Sequence, residues 1–205
     1  MYKAHDYTSL LGLKGFSTPL LKNHFALYEG YVKNANKLLE MLPELSVEGH
    51  GAEPGFTEVR RRLSFELNGI KLHEYYFENM CKEGAEEPDK DSEFYAALTE
   101  EFGSYKNWKK SFKDTASLRG VGWTVAVYDP RVGRMIHTWI DEHHMGNVAG
   151  TFPLLVLDLW EHAMLLDYGS DRAKYIDAFF DVIDWTAVSA RFLKAAEMRE
   201  VYHQV

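Results

Sequence analysis

The sequence predicts an α+β fold: a long antiparallel helical hairpin at the N-terminus, then a three-stranded antiparallel sheet with helices. Three observations predict it. Two long stretches, about residues 17–41 and 57–81, carry apolar residues in steps of three and four, the period of one helix face. Residues Trp123-Thr124-Val125-Ala126-Val127-Tyr128 are β-rich and run into a turn, Asp129-Pro130-Arg131-Val132-Gly133. From Asp171 the chain reads as helical again. At 205 residues the chain can bury a real core. The expected division is residues 1–88 for the helical hairpin domain and 89–205 for the α+β domain.

The first helix starts at Ser17-Thr18-Pro19, a hydroxyl cap before an early proline, and should stop before Pro43. Its seam reads Leu21, His24, Tyr28, Tyr31, Ala35, Leu38. Residues 46–55, with three Gly and one Pro, read as a loop. The second helix, from about Thr57 to Cys81, has the seam Leu63, Leu67, Ile70, His73, Phe77. Gly69 interrupts it at ~1 kcal/mol relative to Ala, so something needs the space. Residues 82–92 read as a charged, solvated linker. Two shorter helices follow near 93–102 and 105–117. Residues 134–140 form the returning strand of a hairpin, and Leu154 to Leu157 a third, buried strand. The last helical stretch runs from Asp171 past Trp185 to about Met198.

Charge and composition narrow the function. Lys+Arg is 23 against Asp+Glu 31, a net charge of −8, and no local basic patch is visible, so a nucleic-acid partner is excluded. No apolar stretch nears the ~20 residues of a membrane span, and the N-terminus lacks the apolar core of a signal peptide. A soluble cytoplasmic protein with no membrane partner is expected. The single cysteine, Cys81, excludes an intrachain disulfide and zinc sites built on several thiolates. Nine histidines remain. A metal site here has to be built mainly from imidazole and carboxylate.

Three segments offer such groups. His24 and His73 lie on the seams of the two long helices. Asp158-Leu159-Trp160-Glu161-His162 sets a carboxylate and an imidazole four residues apart, just after a buried strand. Two facing helices can bring His24 and His73 together, and Asp158 with His162 would close a site of three nitrogens and one oxygen, suited to Fe, Mn or Zn. Each signal alone also fits a satisfied core histidine or a chance motif, and tandem His143-His144 also fits an exposed loop.

The segment Asp158-Leu159-Trp160-Glu161-His162-Ala163, followed by Asp167-Tyr168 and Arg172 with Tyr175, resembles the signature of the iron/manganese superoxide dismutases. The resemblance continues in Asn23-His24 with Gly30-Tyr31, in Asn68-Gly69 with His73 and Asn79, in Gly120-Val121-Gly122-Trp123, and in Asp184-Trp185. It implies dismutation of superoxide to dioxygen and hydrogen peroxide at one ion, iron with manganese as the alternative. The implied ligands are His24, His73, Asp158 and His162, with a solvent molecule as fifth ligand. Tyr31 becomes the gateway tyrosine, Trp123 and Trp160 wall the site, and Arg172 supplies positive charge near the substrate funnel. Glu161 bridges to His162 of a second copy, in a homodimer or homotetramer.

Two departures from the family pattern stand out. The outer-sphere glutamine is absent. Its helix position is Gly69, and the loop position, counted back from Pro153, is His143, with His144 as the fallback. A side chain arriving from the loop would explain the space at Gly69. The spacing from His24 to Tyr31 is seven rather than the usual eight, close to two turns, so this helix should lack a π-bulge. A family histidine between those two falls at Leu27 or Tyr28, and its intersubunit tyrosine partner falls in Ala163-Met164-Leu165. Both halves of that pair are missing. The alternative reading is therefore a metal-binding homologue with weak or no turnover.

Overall fold

The computed structural model describes residues 1–47 and 53–203. Residues 48–52 of the expected 46–55 loop, His50 among them, lie outside the described residues, while 46–47 and 54–55 belong to the flanking helices rather than to a loop. Two long helices, α1 (Thr18–Val47) and α2 (Pro54–Glu78), pack side by side. Ser17 caps α1, its hydroxyl accepting from the Leu20 amide at 3.2 Å. The helix has no π-turn between His24 and Tyr31, as the seven-residue spacing requires. It does not stop before Pro43, because proline removes only one backbone donor. Leu42 is buried, and the Ser46 hydroxyl donates to the Leu42 carbonyl at 2.8 Å.

Helices α3 (Glu93–Phe102) and α4 (Tyr105–Ala116) follow, capped by Ser92 and Ser104. The sheet is β1 (Gly122–Asp129), β2 (Arg134–Asp141) and β3 (Phe152–Asp158), in the order β2-β1-β3 and antiparallel throughout. β1 is central and buried along nearly its whole length, so it reads as a continuous apolar run. β3 is longer than the predicted 154–157. It includes Pro153, tolerated because β3 is an edge strand and its register shifts at Ala126/Val127. The register sets Trp123 opposite both Ile140 and Asp158.

After β3 come a 3-10 turn (Glu161–Ala163) and a one-turn helix α5 (Leu165–Tyr168), neither of which the periodicity revealed. The final helical stretch is broken, contrary to the continuous run expected. α6 (Arg172–Phe180) ends, and four residues separate it from α7 (Trp185–His203). Val182 and Ile183 leave the helix to pair with the end of α2. Cys81 N–H donates to Val182 O at 2.9 Å, and Asp184 N–H to Asn79 O at 2.6 Å. Among the described residues, no helix is long and apolar enough to cross a membrane.

Candidate metal centre

His24 comes from the second turn of α1, His73 from the last third of α2, Asp158 from the end of β3 and His162 from the turn that follows. Their ligand-type atoms all lie within 4.8 Å of one another. His24, His73 and Asp158 are fully buried. Three imidazole Nε2 atoms converge on a single oxygen, Asp158 Oδ2: His24 at 3.0 Å, His162 at 3.1 Å and His73 at 3.6 Å. The rings of His24 and His73 stand 5.0 Å apart and perpendicular. The periodicity argument that the two helix seams bring these rings together thus holds in the geometry.

The donor set fits a cation. His73 Nδ1 donates to the Gly69 carbonyl at 2.6 Å, one turn back in α2. That bond turns Nε2 inward as an acceptor, and Nε2 is buried with no hydrogen-bond partner among the described residues. Burial lowers the pKa of His24, and burial with the neighbouring His24 lowers that of His73 well below the usual value, so both rings are neutral. Burial by itself opposes an ionised Asp158. The charge and hydrogen bonds of His162, with the His24 bond, outweigh it and hold the carboxyl ionised. An orphaned acceptor lone pair beside neutral imidazoles and one carboxylate is the chemistry of a buried site for an iron- or manganese-type ion.

Outer contacts fix these four residues. Tyr175 O–H donates to the Asp158 carbonyl at 2.7 Å, and the Trp160 amide to Asp158 Oδ1 at 2.8 Å. Tyr76 and Tyr175 share a hydrogen bond of 3.0 Å. Trp123 stands edge-on to His73 at 4.9 Å, and Trp160 stacks on His162 at 5.8 Å.

His143 is fully buried, which rules out an exposed tandem-histidine loop for that residue. Trp123 Nε1, which can only donate, donates to His143 Nδ1 at 3.0 Å. Neutral His143 therefore carries its proton on Nε2 and donates it to the Tyr31 hydroxyl at 2.8 Å. Burial lowers the His143 pKa to about 4, in keeping with a neutral ring. Trp160 stacks on this ring at 4.8 Å. The space at Gly69 has a different user from the loop side chain expected. A Cβ there would lie 2.7 Å from the Tyr31 ring, so it is Tyr31 that lies against the helix backbone. His144, the fallback, is only partly covered and lies beside Phe65.

Arg172 donates to the carbonyls of Leu118 and Gly120 at 2.5 and 2.7 Å, just before β1, and makes no hydrogen bond or ion pair with the four-residue cluster among the described residues. Glu161 is exposed and has no partner among the described residues. Sequence reasoning missed Phe65, whose ring lies 4.4 Å from that of His143. Its place one turn before Gly69, on the face shared with His73, was the available signal.

Comparison with known proteins agrees with this geometry. Residues 90–191 match the model of the iron/manganese superoxide dismutase C-terminal domain. The chain is 35% identical over 179 residues to a protein of Haloferax volcanii named superoxide dismutase [Mn] 2, covering 87% of each chain. It is 34% identical over 174 residues to superoxide dismutase [Fe] of Pyrobaculum aerophilum, covering 84% of this chain and 82% of the relative. A third relative, superoxide dismutase [Fe] of Cupriavidus metallidurans, is 33% identical over 188 residues, covering 89% of this chain and 91% of the relative. With relatives matched over more than four fifths of both lengths, and three imidazoles and a carboxylate converging in the core, the chain belongs to the iron/manganese superoxide dismutase family.

Proposed function

We propose that this chain dismutates superoxide to dioxygen and hydrogen peroxide at one iron or manganese ion held by His24, His73, Asp158 and His162. The observation that carries the reading is the buried convergence of three imidazole nitrogens and one carboxylate within 4.8 Å. Such an ion supplies one-electron acceptance and donation to superoxide. Iron and manganese remain alternatives, since relatives of similar identity are named for each.

The chain's own residues handle the protons. Trp123 fixes the His143 tautomer, and His143 donates to the Tyr31 oxygen. That leaves the Tyr31 O–H proton free to be directed into the site. Burial raises the Tyr31 pKa above its ordinary value, so the hydroxyl keeps its proton at neutral pH. Both His143 nitrogens are engaged, so His143 acts through Tyr31 as a positioning residue. Trp123 and Trp160 exclude water around the ligands. Arg172 adds positive charge on the β1 side.

Glu161 is exposed, and His162 Nδ1 has no partner among the described residues. A second copy that carries its Glu161 to this His162 would satisfy both, in a homodimer or a homotetramer. The second reading, a metal-binding homologue with weak turnover, draws on Leu27 and Leu165. Both are exposed apolar residues: Leu27, with Tyr28, is a candidate for the place of the missing family histidine, and Leu165 lies in the Ala163-Met164-Leu165 stretch where its tyrosine partner falls.

Elemental analysis of the purified chain, paired with superoxide consumption after loading with iron, manganese or zinc, separates the readings. About one iron or manganese per chain with rapid turnover, and no turnover with zinc, is expected, because zinc has no accessible second oxidation state. Full iron or manganese occupancy without turnover would establish the weak homologue instead.

A further inference from the structure

An anionic substrate has to approach a chain of net charge −8. Cations that face the site therefore matter more than the total. Arg172 has its amino groups engaged by two backbone carbonyls. Helix α2 carries Arg60, Arg61 and Arg62 a little over three turns before His73. Arg62 is the one aimed at the site. Its guanidinium carbon lies 3.7 Å from the centroid of the Phe65 ring, and that ring lies 4.4 Å from His143 and 6.1 Å from Tyr31. Its charge reaches both groups, opposing protonation of His143 and favouring the ionised form of Tyr31.

The way Arg62 is held is specific. Its Nε donates to Glu66 Oε1 at 2.8 Å, one turn further along α2. The Glu66 side chain is 3% exposed, whereas that of Arg62 is 48% exposed. The ion pair is thus a dipole with its positive end outward. Nε and the Phe65 face fix the guanidinium plane. Both Nη amino groups have no partner among the described residues. They border a cavity of about 150 Å³ lined by Arg61, Arg62, Phe65 and His144, with Glu58 and Glu142. Glu58 lies 3.7 Å from the Arg61 guanidinium and Glu142 lies 3.9 Å from the His144 ring.

We propose that Arg62, fixed by the buried Glu66 and by Phe65, is the anion-receiving side chain at the mouth of the metal site, delivering superoxide toward Tyr31 and His143. This rests on the dismutase reading for the identity of the substrate. The recognition itself is that of a small monoanion by a planar fork of free N–H donors. Because the pair is neutral at long range, Arg62 acts close to the mouth, and Glu66 sets the direction of the fork.

The test uses azide, a small monoanion, titrated into the iron-loaded full chain at low salt and followed by absorbance and calorimetry. Arg62→Gln should weaken azide binding roughly threefold to tenfold, with a similar loss in kcat/KM for superoxide. The double variant Arg62→Gln/Glu66→Gln keeps the wild-type net charge and leaves no unpaired buried carboxylate, so it guards against misfolding. It should remain weakened by the same factor. Lys194→Gln on α7, which matches the single variant in net charge, should bind azide as the wild type does. Wild-type azide affinity in the double variant would overturn the proposal, because an unpaired Glu66 would then explain any single-variant loss. Equal weakening by Lys194→Gln would overturn it too, because total charge would be the cause. Azide affinity is read without turnover. A wild-type chain that binds azide but consumes no superoxide would sink the dismutase reading while leaving the Arg62 result to be judged separately.

Discussion

His143 and His144 are adjacent in one loop, and their side chains have opposite surroundings. His143 is buried and bonded at both ring nitrogens, to Trp123 and to Tyr31. His144 keeps about a quarter of its side chain exposed, and its Nδ1 has no hydrogen bond among the described residues. The Tyr31 link depends in turn on Gly69, against which the tyrosine ring lies. An exposed Gly→Ala change inside a helix normally stabilises by about 1 kcal/mol. Here the added Cβ would lie 2.7 Å from a ring carbon held on two sides. Gly69→Ala should therefore lose about 1–3 kcal/mol through overpacking and push Tyr31 away from His143. Thermal unfolding with a crystal structure of the variant checks it. A stabilised variant with the Tyr31–His143 bond intact would refute this account.

Two elements owe their form to single residues. Glu142 has φ +51°, a left-handed conformation unusual for a residue with a side chain. The turn it makes after β2 directs His143 inward, and its carbonyl accepts from Trp160 Nε1 at 3.3 Å. The break between α6 and α7 is held by Asp184. Its carboxylate accepts from the Thr186 and Ala187 amides at 3.0 and 3.1 Å, an N-cap on α7, while its own N–H reaches Asn79. Asn79 in turn donates to the Val156 carbonyl in β3 at 2.7 Å. Loss of the cap in Asp184→Ala should cost about 1 kcal/mol. Urea unfolding checks this, with no change expected in metal content. Loss of metal from the folded variant would show that the break supports the site more directly than argued.

Acid sensitivity belongs to the whole molecule, because it comes from histidines buried between elements. His137 on β2 is packed against Phe102, Trp108 and Phe112 from α3 and α4, and its Nδ1 shares a hydrogen bond with Ser111. Burial lowers its pKa from 6.5 to about 4. The unfolded chain binds this proton more readily than the folded one between those values. Stability from a neutral His137 is thus full above pH 6.5 and is lost as pH falls toward 4, by up to ~3 kcal/mol. His137→Phe should flatten the fall in unfolding free energy between pH 6.5 and 4.5 relative to the wild type. Equal slopes in urea titrations of the two proteins would remove His137 from the account. The buried histidines near the metal centre are common to both proteins, so the difference reports His137.

The helical hairpin, the presence of the three strands and the four convergent residues were legible because each rests on a local pattern. Seam periodicity set His24 and His73 on inward faces, and the Asp158–His162 segment carried its resemblance in consecutive residues. The extension of α1 past Pro43 and the break before Trp185 were not legible, because burial of Leu42 and pairing of Val182 with Cys81 override local propensity. Nor was the user of the space at Gly69, or the aim of Arg62 over Phe65. The sequence by itself determined which residues could bind an ion, since that follows from side-chain chemistry and the period of a helix. Only the tertiary structure decided which nitrogen of His143 holds its proton, which arginine faces the site and which ring fills a glycine's space. Those depend on distances between side chains from segments far apart in the chain, and no local pattern encodes them.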